Sequence, residues 1–96
     1  MNKIPVEIGR VVISKCGRDQ GRIFLVTGEI DEDFVLISDG DTHKMAKQKK
    51  KRRKHLKPTL SHSPELRERI LTGNMPEDYE IRSCLSKEDK TCRSLI

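Results

Sequence analysis

The sequence predicts a mainly β chain: a small SH3-like barrel, then a basic extension, then a short C-terminal helical hairpin. Three observations carry this expectation. Apolar runs at residues 11–13, 23–26 and 34–37 are each too short for a helix and are separated by glycine-rich or acidic turns. Residues 44–57 then hold nine of the twenty Lys/Arg and none of the fifteen Asp/Glu. Beyond Pro58, helix-capping residues and apolar spacing of helical period appear.

Residues 10–14, Arg-Val-Val-Ile-Ser, are β-branched and apolar and read as the first strand. The loop at 15–21 contains Gly17 and Gly21, which permit positive φ and shape the turn. Residues 22–27 form a second strand, stopped by Gly28. An acidic turn follows with Glu29, Asp31, Glu32 and Asp33, and residues 34–38 form the third strand. Asp39-Gly40 is a type I′ hairpin signal, which places the return strand at 41–45. Four short strands in a meander must curl to bury one face. The expected barrel covers residues 1–46, mostly 8–46, with Val12, Phe24, Val26, Val35 and Ile37 in its core and Phe34 also needed there. No fifth strand is evident, so residues 3–8 or the C-terminus must close it.

The basic stretch, 47–60 as a segment, contains six consecutive cations from Lys49 to Lys54. Outside residues 44–57, eleven Lys/Arg face all fifteen acids, so the net +5 is one strip on a body of charge −4. Like charges at i,i+3 and i,i+4 oppose an isolated helix. The strip is therefore expected to be disordered or extended when free, ended by Pro58 and ordered on a polyanion, with counterion release as the driving force. In residues 61–96, Ser63 is an N-cap, Pro64 sits at the first helical position and Gly73 stops the helix. Asn74 is the expected cap of a second helix, with Glu77 completing a capping box. The stripes Leu66/Ile70 and Ile81/Cys84/Leu85 are narrow, so this hairpin needs a partner surface.

Several function classes are disfavoured. Apolar residues make up 33% of the chain and aromatics 3%, with no Trp, which limits the core to part of the chain. No apolar run has membrane-span length, and no signal-peptide core follows Met1, so a cytoplasmic protein without membrane association, monomeric when free, is expected. Cys16, Cys84 and Cys92 have no CxxC spacing, and neither a zinc site nor a disulfide framework is suggested. Lys15 and Arg18 could stabilise a Cys16 thiolate; a small loop residue is the simpler reading. No catalytic constellation, cofactor motif or metal-ligand spacing appears, so the chain does not read as an enzyme.

Residues 11–24, Val-Val-Ile-Ser-Lys-Cys-Gly-Arg-Asp-Gln-Gly-Arg-Ile-Phe, resemble a KOW motif, with Gly21 at that motif's central glycine. Together with Asp39-Gly40 and the basic run ending in His55-Leu56, the pattern resembles a bacterial group of short KOW-domain RNA-binding proteins. That group is similar to the archaeal and eukaryotic large-subunit ribosomal protein family numbered fourteen. The resemblance covers about residues 8–57. It implies an SH3-like barrel bound to structured RNA, with the ribosome as partner.

The residue chemistry agrees with that implication. Lys15, Arg18 and Arg22 lie in or beside a loop whose glycines let a phosphate approach the backbone. Lys44, Lys47, Lys49, Lys50, Lys51, Arg52, Arg53, Lys54, His55 and Lys57 supply the strip; His43 and His55 could hydrogen-bond or stack. The alternative is a factor module that docks on RNA polymerase or another protein through an exposed apolar face. In a flat meander the strip leaves the barrel beside the acidic turn, opposite the 15–21 loop, and rests loosely on Glu29, Asp31, Glu32 and Asp33.

Overall fold

A computed structural model describes residues 4–18, 20–41 and 43–95, with side chains as far as Ser86. Strands β1 (Arg10–Ser14), β2 (Ile23–Glu29), β3 (Phe34–Ser38), β4 (Lys49–Arg52) and β5 (Leu56–His62) make one antiparallel sheet in the order β4-β3-β2-β1-β5. The two edge strands, β4 and β5, are consecutive in the chain and joined by a single 3₁₀ turn, Arg53–His55. A three-residue link cannot span an open five-stranded sheet, where neighbouring strands lie about 4.8 Å apart. The sheet therefore curls until its edges meet, in the small barrel-like form expected.

The interior holds Val12, Phe24, Val26, Val35, Ile37 and Leu56, with Val6 packed against them. All five core residues expected from sequence are there. A second apolar layer lies outside the barrel, where α1 (Pro64–Leu71) and α2 (Asp78–Leu95) cover β1 and β2. Val11 and Leu25 pack there against Leu66, Ile81 and Leu85. Adjacent strand residues point to opposite faces, so the unbroken runs in β1 and β2 follow from burial on both sides. Burying one such Val or Leu side chain contributes about 1.5–3 kcal/mol. The helical hairpin thus finds its partner surface on its own barrel.

The first helix starts as expected. Ser63 accepts the Leu66 N–H at 3.3 Å, Pro64 opens the helix, and Gly73 follows its end at φ 86°. The second begins later than expected, at Asp78 instead of just after Asn74. Its capping contact is made by Glu80, whose carboxylate accepts the Glu77 N–H at 2.7 Å. That bond, then the Arg69 guanidinium, holds the Glu80 carboxyl below its usual range. Cys84 is half-buried beside the outer core, whereas the Cys92 side chain lies outside the described residues.

Three expectations are corrected. The return strand is not at 41–45, where Thr42 lies outside the described residues. A type I′ turn needs two left-handed residues; Gly40 has φ 74°, but no described non-glycine residue has positive φ. Instead the loop wraps around Asp39, whose carboxylate accepts the N–H groups of Asp41 at 2.9 Å and His43 at 2.8 Å. A 3₁₀ turn, Met45–Lys47, follows, and the Met45 N–H donates to Asp78 Oδ1 at 2.8 Å.

Second, the basic stretch is not an extension. It supplies β4, the 3₁₀ turn and the start of β5. Strand geometry tolerates the charge because successive side chains go to opposite faces, and lysine is well suited to an edge strand. Pro58 does not end it; it lies within β5 opposite Val12, a position that an edge strand permits. Third, β5 closes the barrel. Val6 only caps the interior, and Lys3, in the segment expected to do this work, lies outside the described residues.

The loop around Gly40 is tied to α2 by close approach. A Cβ on Gly40 would lie 2.3 Å from the Asp78 carbonyl oxygen, whereas one on Gly21 (φ 86°) would meet nothing within 4 Å. Gly21→Ala is therefore expected to lower stability by about 1–2 kcal/mol, the left-handed backbone term alone. Gly40→Ala should lose clearly more, because α2 must also shift. Urea unfolding of the two variants checks this; equal losses would show that α2 is not held against this loop.

Candidate nucleic-acid interface

Barrel closure brings the basic strip to the 15–21 loop. The Lys15 N–H donates to the His55 carbonyl at 2.8 Å, and Lys51 Nζ donates to the Cys16 carbonyl at 3.3 Å. Gly17, at φ 83°, presents its bare Cα toward Lys51, with room for a Cβ only 3.6 Å from Nζ. The flat-meander placement of strip and loop at opposite ends is thus corrected: ladder order decides ends only while a sheet stays flat. Lys15 and Arg18 are exposed at this junction. The loop is held by Ser14 N–H to Arg22 O at 3.0 Å, Gly21 N–H to Ser14 O at 2.9 Å and Gln20 N–H to Gly17 O at 3.2 Å.

The six consecutive cations divide by direction. Lys49 and Lys51 are half-buried on one side of β4, while Lys50 and Arg52 are exposed on the other. Lys50 Nζ lies 4.4 Å from the Phe34 ring centroid and Arg52 Cζ lies 5.1 Å from it. Phe34 was expected in the core. It is half-buried on the outside, because Val35 and Ile37 take the interior and alternation turns their neighbour outward. That period-two pattern was visible in the sequence and is the signal that would have identified it.

Arg53 has a different environment. Its backbone N–H donates to Asp33 O at 2.8 Å, and its guanidinium donates to Asp31 O at 3.0 Å, to the Glu29 carboxylate at 3.4 Å and to Val6 O. Among the described residues, the hydrogen bonds from strip side chains to the acidic turn all come from Arg53, most of whose bonds go to backbone carbonyls, and Lys50 adds an attraction to Asp31. Arg53 joins the 3₁₀ turn, the acidic turn and the N-terminal segment. Lys54 is exposed in a shallow concavity with Glu32, Asp33, Arg52 and Arg53.

The remaining positions are distributed around this junction. Arg22 pairs with Asp39 at 3.1 Å and lies 5.9 Å from the Phe24 ring, so it braces two loops as well as reaching solvent. Lys44 and Lys47 are exposed at the 3₁₀ turn, and Lys57 is exposed on β5 opposite Ile13. His43 packs its ring 5.6 Å from Phe24, which occupies the face expected to meet RNA. Among the described residues no group of His, Cys, Asp or Glu could hold a metal ion, and no helix is long and apolar enough to cross a membrane.

Asp31 organises the acidic turn by accepting the N–H groups of Asp33 and Phe34, each at 2.8 Å. Those bonds, with smaller contributions from Lys50 and Arg53, hold its carboxyl below the usual value of 3.8. A carboxylate depressed in the folded state contributes stability above its unfolded pKa, and that contribution is lost as pH falls through the folded one. Asp31→Ala should therefore lower Tm at neutral pH, and the difference from the parent should close as pH falls below about 3.8. Thermal melts across acid pH test this; a gap independent of pH would remove the carboxylate from the account.

No protein-family profile matches the chain. It is 37% identical over 54 residues to large ribosomal subunit protein eL14 of Desulfurococcus amylolyticus, covering 56% of each chain. It is 37% identical over 54 residues to the protein of that name from Pyrobaculum arsenaticum (56% of this chain, 52% of the relative), and 36% over 53 residues to that from Staphylothermus marinus (55% of each). The chain thus spans about half the length of the curated relatives it matches. These relatives are archaeal, which overturns the bacterial attribution. The proteins it matches carry the name of the large-subunit ribosomal family that its KOW-like segment resembles.

Proposed function

We propose that this chain is an RNA-binding protein of the KOW class, which works in the cytoplasm on structured, ribosomal RNA and grips its phosphate backbone. The observation that carries this reading is the junction made by Lys51 on Cys16 and Lys15 on His55, where loop cations and strand cations form one surface. The names of its relatives support the ribosomal context. Cations on an ordered strand lose less freedom on binding than cations on a flexible tail, and backbone electrostatics require no particular base. Lys15, Arg18, Lys49, Lys50, Lys51, Arg52, Lys54 and Lys57 would meet phosphates. Arg53 would act through shape, and so would Gly17 and Gly21.

Titration of a structured RNA hairpin across a salt series tests this. With about four to six phosphate contacts, log K should fall against log salt with a slope of about −3 to −5. Changing Lys49, Lys50 and Lys51 to Ala should weaken binding to unrelated hairpins alike and flatten the slope. Lys15→Gln with Arg18→Gln should flatten it by about one to two. Arg53→Ala should instead lower Tm, with at most one contact's effect on the slope. A slope near zero would favour a protein partner and reject the phosphate reading. In cells, cross-linking should give ribosomal RNA reads at one position; scattered messenger reads would count against a ribosomal site.

A further inference from the structure

The helices cover the outer face of β1 and β2, but the outer face of β3 and β4 carries a different set of residues. Phe34 stands there, half-buried, directly opposite Arg52 in the ladder and diagonal to Lys50. Both cations lie on its ring, at 5.1 and 4.4 Å. Among the described residues neither makes a hydrogen bond or an ion pair through its side chain; Lys50 is also attracted to Asp31, and both cations rest on the ring. A site for phosphate alone has no use for an aromatic ring, and a structural ring would be better buried. An aromatic face flanked by two exposed cations matches a ligand that joins a π surface to an anion.

We propose that Phe34, Lys50 and Arg52 form a subsite for one unpaired nucleotide. This rests on the RNA-binding reading above and adds base contact to it. The base stacks on the ring, and the ammonium and guanidinium groups move off it onto the flanking phosphates. Bases inside a duplex already have both faces covered, so the ligand is a nucleotide in a bulge, loop or end. The acidic turn sets the position of the ring, since Asp31 fixes the Phe34 N–H at 2.8 Å.

The test uses two RNA hairpins that share one tight loop whose bases stack on one another, one with a fully paired stem and one with a single bulged 2-aminopurine in that stem. The intact chain should bind the bulged hairpin more tightly and quench its fluorescence by stacking. Phe34→Leu keeps an apolar group on the strand, and should weaken binding to the bulged hairpin roughly tenfold, the loss expected for one stack. Affinity for the paired hairpin and the salt slope should not change. Phe34→Trp should retain the preference, which separates loss of the stack from loss of fold. Equal affinity for both hairpins, or no effect of Phe34→Leu beyond lower Tm, would overturn the subsite while leaving salt-dependent RNA binding in place. Absence of salt-dependent binding to either hairpin would overturn the RNA reading itself.

Discussion

Everything in this chain depends on the short connection between the two edges of its sheet. Arg53–His55 joins β4 to β5, and the next residue, Leu56, is buried at 2% exposure in the barrel interior. That burial anchors the turn from inside, while the Arg53 guanidinium anchors it from outside on Asp31, Glu29 and Val6. A sheet of five short strands with open edges would be only marginally stable and prone to pair with its neighbours. Closing it brings the two edges together and encloses the inner core of Val12, Phe24, Val26, Val35, Ile37 and Leu56.

Closure also turns charge into geometry. Six consecutive cations in a mobile tail would repel one another and present no fixed arrangement. The four placed on β4, Lys49 to Arg52, divide between two faces, and Arg53 and Lys54 lie in the turn that follows. One face leads Lys51 to the Cys16 carbonyl, and the other lays Lys50 and Arg52 on Phe34. Arg53 is turned away to brace the acidic turn. A run that looks uniform in the sequence thus contains three environments.

The helices contribute through the second apolar layer. Val11 and Leu25 would be exposed on a bare barrel, and Leu66, Ile81 and Leu85 on a bare hairpin. Each surface covers the other. The Gly40 loop sits under α2, with Asp78 bonded to the Met45 N–H, so the helical segment also positions the chain as it enters β4. The basic strand is therefore held at both ends: by the helical hairpin at its start and by the acidic turn at its end.

The sequence by itself determined what local chemistry controls. Alternation and run length placed β1, β2 and β3, and the five inward residues from Val12 to Ile37 were legible because a strand's period is two. Ser63, Pro64 and Gly73 bounded α1 because caps act over one turn. Gly17 and Gly21 marked the loop because positive φ is a single-residue property. Tertiary structure decided the rest. Whether residues 49–52 form a strand depends on the free edge of β3, 12 to 18 residues earlier in the chain, and like-charge repulsion gave no local sign of that pairing. The meeting of Lys15 with His55, and of Lys51 with Cys16, exists only because the sheet curls; no spacing rule encodes it. The outward position of Phe34 was written in its neighbours, but its contact with Lys50 and Arg52 needed the β3–β4 register, which pairing across the sheet alone sets.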